Sequence, residues 1–387
     1  MTGSKHELAG APIITEVKSY LQRRCFLHLP WLIYKGDTSW VPPLLLQVKA
    51  ALNTKKNPFY RTAELRLFLA RKDGRPAGRI AAIINHSHNC FHGEKVGFFG
   101  FFECINDAAM ANALFDAAKR WLAGEGMTVF RGPVNPSTNH DCGLLVEGYG
   151  MPPQVMMPYN PPYYADLMGA CGLAKAKDLL AYKLTPQTFT PSLHDLSARV
   201  ARRERLEVRP INMKQFEREA LLIRGIYNKA WERNWGFVPV DDVEFDYLAA
   251  EMKQIIEPSL VLIGFAGGEP AAFSVTLPNI NEALAKINGR LFPFGFFKLM
   301  SAMRKVKSAR NLLMGVIPQY RKLGLDLLMY KLTVDTTEKL GYDWGELSWI
   351  LEDNADMRRL LGKVGAAQYK AYRIYEAPIS SGSPSAA

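Results

Sequence analysis

The sequence is poor in cysteine and contains no long apolar segment. Its five cysteines are odd in number and widely spaced, which favours reduced thiols over a disulfide framework. No run of about 18 or more apolar residues occurs, so we expect no transmembrane helix. Residues 1–11 lack a signal-peptide core, and no zinc-finger or basic-zipper pattern occurs. These absences predict a cytoplasmic protein, at most attached to the inner face of the membrane, that binds no nucleic acid.

The chain is instead rich in apolar residues and basic residues. Its apolar fraction of 48% supports well-filled cores, and 387 residues suffice for two domains of ordinary size. The formal net charge of +11 suits an anionic partner, such as a phosphate-bearing coenzyme or an anionic membrane.

The chain divides into two halves with the same order of predicted elements. In residues 12–184, a pair of strands precedes a third strand at 96–105, and a strand at 178–184 closes the half. Residues 206–379 repeat this order, and residues 185–205 form a linker with two prolines and a basic run. The pattern predicts an α/β protein of two tandem domains, each a mixed central sheet flanked by helices.

A predicted pyrophosphate site lies where a strand meets a helix in the second half. The apolar strand 311–317 is followed by a basic turn with a glycine and by a helix over 325–340. N–H groups at a helix start attract an anion, and glycine lets the backbone approach it. An ordinary strand-to-helix turn is the alternative. The first half carries Glu103 and Asp107 at the matching place, which predicts that it has no coenzyme site.

This turn resembles the coenzyme A loop of the GNAT acyltransferases, whose pattern is Gln/Arg-x-x-Gly-x-Gly/Ala. Gln319, Arg321 and Gly324 fit, whereas Asp326 stands where the family has Gly or Ala. The resemblance implies that acyl-CoA is a co-substrate. The residues expected to bind it are Met314, Val316, Gln319, Arg321, Lys322, Gly324, Leu325 and Asn354.

The end of the chain also resembles GNAT proteins, in which Asn-x-x-(apolar) begins a helix and Gly-(apolar) precedes the last strand. Asn354, Met357, Gly365 and Ala366 match this pattern. In many members a tyrosine of that helix protonates the departing thiolate. Leu361 occupies its approximate place here, so the resemblance assigns no such acid.

Longer motifs extend the resemblance over nearly the whole chain. They lie at residues 40–43, 97–103, 131–137, 159–164, 231–237 and 370–375. Together they resemble a bacterial group of tandem GNAT-like proteins that includes the bacterial ceramide synthases. The resemblance implies transfer of a fatty acyl group from its thioester to the amine of a sphingoid base. Acylation of a soluble amine, and non-catalytic binding of acyl-CoA or lipid, are the alternatives.

Three residues are candidates for the base that removes the amine proton. Glu103 ends an apolar strand, where burial raises a carboxyl pKa, although an ion pair or helix cap would also explain it. His140 titrates near neutrality when unperturbed, although a turn held by side-chain hydrogen bonds also explains its loop. Glu232 is the third, within the tryptophan-rich motif that should cover the acceptor. The amine would attack the thioester directly, so no covalent enzyme intermediate is required, and none of the cysteines lies in a motif that demands one. Backbone N–H groups near Met314 to Val316 would polarise the thioester carbonyl.

The tryptophan-rich motif is also the predicted acceptor site. Trp231, Trp235 and Phe237 would form an apolar wall, and Asn234 would bind an amine or hydroxyl. Packing of an amphipathic helix into the core is the alternative interpretation.

Two further segments carry predictions about partners. Residues 290–310 combine phenylalanines with basic residues, which suits a helix in a membrane interface or an acyl channel rather than a packed helix. His86, His88, Cys90 and His92 lack a second cluster with ligand spacing, so we interpret them as a polar loop and predict no metal.

Overall fold

The computed structural model describes residues 11–202, 205–232 and 234–379. Arg203 of the predicted basic run and Arg233 of the tryptophan-rich motif lie outside the described residues. In the described ranges, strands alternate with helices around a mixed sheet, which confirms the predicted α/β class.

The elements closely follow the predicted order. The strands are β1 Ile13–Glu16, β2 Ala63–Lys72, β3 Arg75–Asn85, β4 Val96–Cys104, β5 Val129–Gly132, β6 Val134–Asn135, β7 Asp141–Cys142, β8 Leu144–Glu147, β9 Ala174–Leu184, β10 Leu206–Pro210, β11 Val261–Ala266, β12 Glu269–Pro278, β13 Ser308–Val316, β14 Trp344–Leu351 and β15 Ala367–Pro378. The helices are α1 Tyr20–Ile33, α2 Leu45–Ala51, α3 His86–His92, α4 Ala108–Gly124, α5 Tyr164–Ala170, α6 Pro191–Ala201, α7 Phe216–Trp231, α8 Asp242–Met252, α9 Asn281–Leu284, α10 Gly295–Met303, α11 Leu325–Lys339 and α12 Ala355–Lys363.

The described strands form one large sheet and one small hairpin. Thirteen strands pair in the order β1-β2-β3-β4-β5-β15-β9-β14-β13-β12-β11-β10, with β8 paired to β15. Strands β6 and β7 form the separate hairpin. Each half runs antiparallel through four strands and ends with a parallel pair, β4/β5 or β13/β14. A parallel pair needs a crossover connection, which α4 and α11 supply.

The closing strands of the two halves are exchanged in the sheet. Strand β9 ends the first half in sequence, yet it pairs with β14 and β15. Strand β15 ends the second half, yet it pairs with β5 of the first half. The strand predicted to close the first half therefore lies among strands of the second.

Helix α4 shows how sequence fixes an element and its packing. Asp107 caps the helix, because its side chain accepts a hydrogen bond from the N–H of Met110 at 3.1 Å. Apolar residues then recur at helical spacing and are buried against the sheet. The buried positions are Met110, Ala111, Leu114, Phe115, Ala117, Ala118 and Leu122.

Three details of the predicted elements are wrong. Residues 86–92 form the short helix α3, begun by the side chain of Asn85, and not a loop. Helix α7 ends at Trp231, so residues 234–240 lie in the connection to α8. Residues 308–310 belong to β13, where Arg310 is fully buried and cannot face a membrane. No helix of the described residues is long and apolar enough to cross a bilayer.

Candidate active site

Strands β13 and β14 separate from each other halfway along their length. Their pairing ends with Asn311 opposite Leu347. Beyond that point β13 follows β12 as far as Val316, with a register shift that leaves Leu312 without an opposite residue. Strand β14 follows β9 up to Leu351. Each strand thus keeps its outer partner, and a gap opens between them.

A buried ion pair joins the two strands at the base of the gap. Arg310 and Glu346 are opposite each other in the pairing, are fully buried, and approach to 3.6 Å. The Arg310 guanidinium also donates to the carbonyl oxygens of Val155 and Met156, both at 2.8 Å. Because a buried charge must be paired and hydrogen-bonded to be tolerated, this arrangement holds the two strands together just before they part.

The gap opens into a cavity of about 1110 Å³. Its walls come from β13 and β14, from the starts of α11 and α12, from α7 and α8, and from the first-half hairpin β6–β7. Side chains of β13 alternate between the two faces of the sheet. Leu313 packs with the α7 side, and Met314 and Val316 pack with the α11 side. The cavity therefore reaches both faces of the sheet through the gap.

One end of the cavity has the features of an anion site. The backbone turns through Lys322 and Gly324 at φ values of 70° and 94°, and Gly324 precedes α11. No side chain of the described residues caps this helix start. Arg321 and Lys322 line the cavity here, and Arg321 donates to the carbonyl oxygens of Ala230 and Val316 at 3.1 and 3.3 Å. Cations beside an uncapped helix start suit a pyrophosphate.

The structure brings most of the predicted coenzyme residues to this end. Met314, Val316, Arg321, Lys322 and Asn354 line the cavity. The carbonyl oxygen of the Asn354 side chain is engaged, because it accepts from the N–H of Met357 at 3.1 Å and caps α12.

The remaining predicted coenzyme residues lie just outside the cavity walls. Gln319 is exposed on the preceding turn, and Leu325 is buried beneath the helix start. Gly324 contacts the linker helix, where an added Cβ would lie 2.7 Å from a methyl of Val200. Asp326 lines the cavity and adds a negative charge to this end.

The first half contributes a hairpin to the opposite side of the gap. The turn between β6 and β7 reaches the connection between α7 and α8. Thr138 donates its hydroxyl to the carbonyl oxygen of Gly236 at 2.8 Å, and Tyr227 donates to the Asn139 side chain at 3.2 Å. These bonds hold His140 in the cavity wall.

The surroundings of His140 favour its neutral form, because they bury the ring. Its Nδ1 lies 2.8 Å from the Ser137 hydroxyl, which also accepts from the N–H of Asn139 at 3.2 Å. Burial lowers the pKa of His140 to about 4. Burial also raises the pKa of the adjacent Asp141 to about 6, against the opposing charge of Arg310. A neutral imidazole in the wall can accept a proton.

Glu103 does not lie at the cavity. It is buried among first-half residues, where the Tyr164 hydroxyl donates to it at 2.8 Å and Arg79 approaches to 3.5 Å. Burial raises the pKa of Glu103, and the charge of Arg79 opposes that shift. The structural ion pair, weighed above as the alternative, matches these surroundings, and we do not retain Glu103 as the base.

Glu232 is exposed at the end of α7, outside the cavity walls, and we do not retain it either. The predicted acceptor residues of the tryptophan-rich motif do line the cavity; they are Trp231, Asn234, Trp235 and Phe237. Trp231 donates its indole N–H to the carbonyl oxygen of Met314 at 3.2 Å, and Arg131 lies 5.7 Å from the Trp235 ring. These residues therefore pack against the core and line the cavity at the same time, so the two interpretations of the motif do not exclude each other.

Several cavity residues were not identified from the sequence. Tyr227 holds the hairpin, and Asn311 donates its side-chain amide to Ser274 at 2.8 Å at the base of the gap. Helix α8 lines the cavity with Phe245, Leu248, Ala249 and Met252. Their spacing of three and four residues was the available signal for one helix face.

The matching gap of the first half is filled by its own chain. Pairing of β4 with β5 ends at Phe98, as at the β13/β14 gap. Strand β6 then occupies the space, because the Asn135 side chain accepts from the N–H of Phe101 at 2.6 Å. A Cβ on Gly100 would lie 1.7 Å from the Val134 carbonyl oxygen.

The described residues contain no cluster of three or more His, Cys, Asp or Glu side chains that could hold a metal ion. His88 is instead 3.1 Å from Glu94, and His92 contacts the carbonyl oxygen of Phe237 at 2.8 Å.

The two halves of the large sheet, each with a parallel strand pair that separates, define a tandem GNAT fold. A solved tandem GNAT protein from the clavulanic acid biosynthesis pathway superposes with a TM-score of 0.58 at 12% identity, covering 95% of this chain and 99% of its own. No family model matches the chain.

Two curated relatives match nearly the whole sequence. The bacterial ceramide synthase of Caulobacter vibrioides is 38% identical over 370 residues, which is 94% of this chain and 96% of that protein. Protein YghO of Escherichia coli is 37% identical over 374 residues, covering 94% and 95%. The chain belongs to the family of tandem GNAT-like acyltransferases that includes the bacterial ceramide synthase.

Proposed function

We propose that this protein transfers a fatty acyl group from acyl-CoA to the amine of a sphingoid base. The observation that carries the proposal is the gap between β13 and β14, with a basic, uncapped helix start at one end and a neutral histidine at the other. The relative named bacterial ceramide synthase, similar over almost the entire chain, supports this choice of acceptor.

The second half would bind the coenzyme, and the first half would not. Arg321, Lys322 and the N–H groups at the start of α11 would hold the pyrophosphate. In the first half the corresponding gap is occupied by β6. We therefore keep the division into residues 12–184, a linker at 185–205 and residues 206–379, with the hairpin of the first unit serving the site of the second.

His140 would act as the base. With Nδ1–H donating to Ser137, Nε2 is left as an acceptor for the proton of the attacking amine. The new C–N bond forms as the C–S bond to coenzyme A breaks, and the proton finally passes to the thiolate. Beyond Asn311, β13 pairs with β12 but not with β14. Backbone N–H groups of this part, near Met314 to Val316, would stabilise the charge on the carbonyl oxygen.

We also propose contact with the cytoplasmic face of a membrane. Phe292, Phe294, Phe296 and Phe297 are each more than half exposed, and Phe292 is 86% exposed. They lie at the start of α10 beside exposed basic residues. Exposed phenylalanines in one segment need a partner surface, and a sphingoid base and a long acyl chain both partition into bilayers.

The decisive experiment is an in vitro reaction of the purified protein with palmitoyl-CoA and sphinganine, followed by mass spectrometry. The proposal expects formation of the N-acyl product and release of coenzyme A. Arg321→Glu and Lys322→Glu should each weaken coenzyme A binding at least about tenfold, since they replace attraction with repulsion. Lys339→Glu, at the other end of the same helix, is the control. Acylation of a short soluble amine alone would refute the choice of acceptor.

A further inference from the structure

The half of the cavity between α7 and α8 is almost entirely apolar. Helix α7 presents one face to it, at spacings of three and four residues, and α8 presents another. The residues are Phe216, Ala220, Ile223 and Tyr227 on α7, and Phe245, Leu248, Ala249 and Met252 on α8. Ile211, Ile256, Val261, Val275 and Leu313 complete the walls. We call this region the α7–α8 compartment.

The two helices leave this space open instead of closing it by mutual packing. No residue of α8 is fully buried, although its inner face carries Phe245, Leu248 and Met252. Apolar surface left in contact with water is unfavourable in proportion to its area. A wall of this kind is therefore suited to an apolar ligand that covers it.

Among the described residues that line the compartment, the carboxylate is that of Glu219, and it is paired. Arg209 binds it through two hydrogen bonds, at 2.7 and 3.0 Å. A paired and buried carboxylate attracts neither an amine nor a phosphate. The compartment thus fits a hydrocarbon chain better than any polar part of a substrate.

We infer that the α7–α8 compartment binds the acyl chain of the thioester and that its depth sets the preferred chain length. This inference rests on the proposed function for the position of the thioester in the gap. A coenzyme arm entering from the α11 face, along Met314 and Val316, emerges on the opposite face of the sheet beside Leu313. The arm and the acyl chain are joined covalently through the thioester, so the chain continues into the compartment.

The test measures binding by calorimetry, using coenzyme A thioethers with S-alkyl chains of 4 to 16 carbons (about the range of common acyl chains). Each methylene that enters the compartment should tighten binding about fourfold, until the chain reaches the end. Ala249→Phe places a large side chain in the compartment, and its loss of affinity should grow with chain length, to about tenfold or more for the longest chains.

Ala250→Phe is the matched control, because Ala250 is exposed on the outer face of the same helix. Leu248→Ala enlarges the compartment and should move the preferred length towards longer chains. Thermal melting of each variant checks folding. Affinity independent of chain length in the unmodified protein, or an equal loss for every length in Ala249→Phe, would overturn the inference.

The acceptor provides a second arm of the test. Where turnover is observed, Ala249→Phe should change the dependence of kcat/KM on acyl length and not on sphingoid chain length. The reverse result would assign the compartment to the acceptor and refute the inference. If N-acylation is absent but length-dependent thioether binding persists in the unmodified protein and is lost in Ala249→Phe, the proposed function fails while the acyl compartment stands.

Discussion

His140 is a histidine that the first half places in the cavity wall of the second. Ser137 fixes one ring nitrogen, and burial keeps the ring neutral. We expect His140→Ala to lower kcat on the order of 100-fold, because a general base typically contributes at least that much. Coenzyme A affinity should change little. His86→Ala, which removes an exposed histidine bonded to Glu64, is the control. Normal turnover of His140→Ala would remove it as the base.

The pH dependence of the rate follows from the same residue. Burial lowers the pKa of His140 to about 4, so the ring stays neutral, and able to accept a proton, at every pH well above that value. As pH falls through about 4 the ring becomes protonated, and kcat should fall with it. We therefore expect His140 itself to add no pH dependence to kcat between pH 7 and pH 5, measured with saturating substrates. Asp141, with a pKa of about 6, titrates in this range, so the profile is compared with that of Asp141→Asn. A fall in kcat centred near pH 6.5 that persists in Asp141→Asn would indicate a solvated histidine or a different base.

The candidate site residues were predictable to the extent that they lie in local motifs. Arg321 and Lys322 follow a strand and precede a helix, so their place at a helix start could be inferred from neighbouring sequence alone. Glu103 could not be resolved in this way. Its partner Arg79 lies on another strand, and only the folded sheet shows that the pair is buried away from the cavity.

Gly324 determines how the chain enters α11. Its φ of 94° is a conformation that side chains rarely adopt, and an added Cβ would lie 2.7 Å from a methyl of Val200. Gly324→Ala should therefore lower the free energy of unfolding by about 1–2 kcal/mol and weaken coenzyme A binding. Urea denaturation and calorimetry measure the two effects.

Gly362 provides the opposite case within α12. It has no positive φ, and outside its own turn of helix no atom of the described residues lies within 4 Å of an added Cβ. Gly362→Ala should stabilise the protein by roughly 0.5–1 kcal/mol, since alanine restricts the unfolded chain. A similar gain of stability in both variants would mean that helix propensity, and not the left-handed turn, determines the result at Gly324.

Most elements were predictable because their signals are local, whereas the gaps between strands depend on distant residues. Helix α4 follows from the Asp107 cap and its apolar spacing. The separation of β13 from β14 lies beside the buried pair Arg310 and Glu346 and beside a register shift at Leu312. Neither residue of that pair indicates its partner in the sequence, so the sequence alone assigns Arg310 to the basic segment 290–310 and not to a buried ion pair.

The exchange of β9 and β15 joins the two halves into one hydrogen-bonded sheet. Because β15 pairs with β5, the edge of the first half is completed by the end of the chain. We expect a single cooperative transition in urea, with tryptophan fluorescence and circular dichroism giving the same midpoint. A fragment ending at residue 202 should lack this transition and aggregate through its open edge. Two separate transitions in the full chain would show that the halves unfold independently.

The exposed phenylalanines of residues 292–297 are placed to attach the whole molecule to a membrane. Replacing Phe294, Phe296 and Phe297 with Ser should reduce sedimentation with anionic vesicles and lower activity on long-chain acceptors more than on a short soluble amine. Lys298, Arg304 and Lys305 are exposed beside them, and each cation near an anionic surface adds roughly 1 kcal/mol, which salt screens.

Vesicle binding should accordingly weaken as ionic strength rises, in the unmodified protein and in a control, Leu221→Ser. Leu221 is also half exposed, but it lies on α7, away from this segment. The triple variant should keep the unfolding midpoint of the control, because its replaced side chains already face solvent. An equal loss of activity on long and short acceptors would instead mean that the phenylalanines support the fold, and the membrane proposal would be withdrawn.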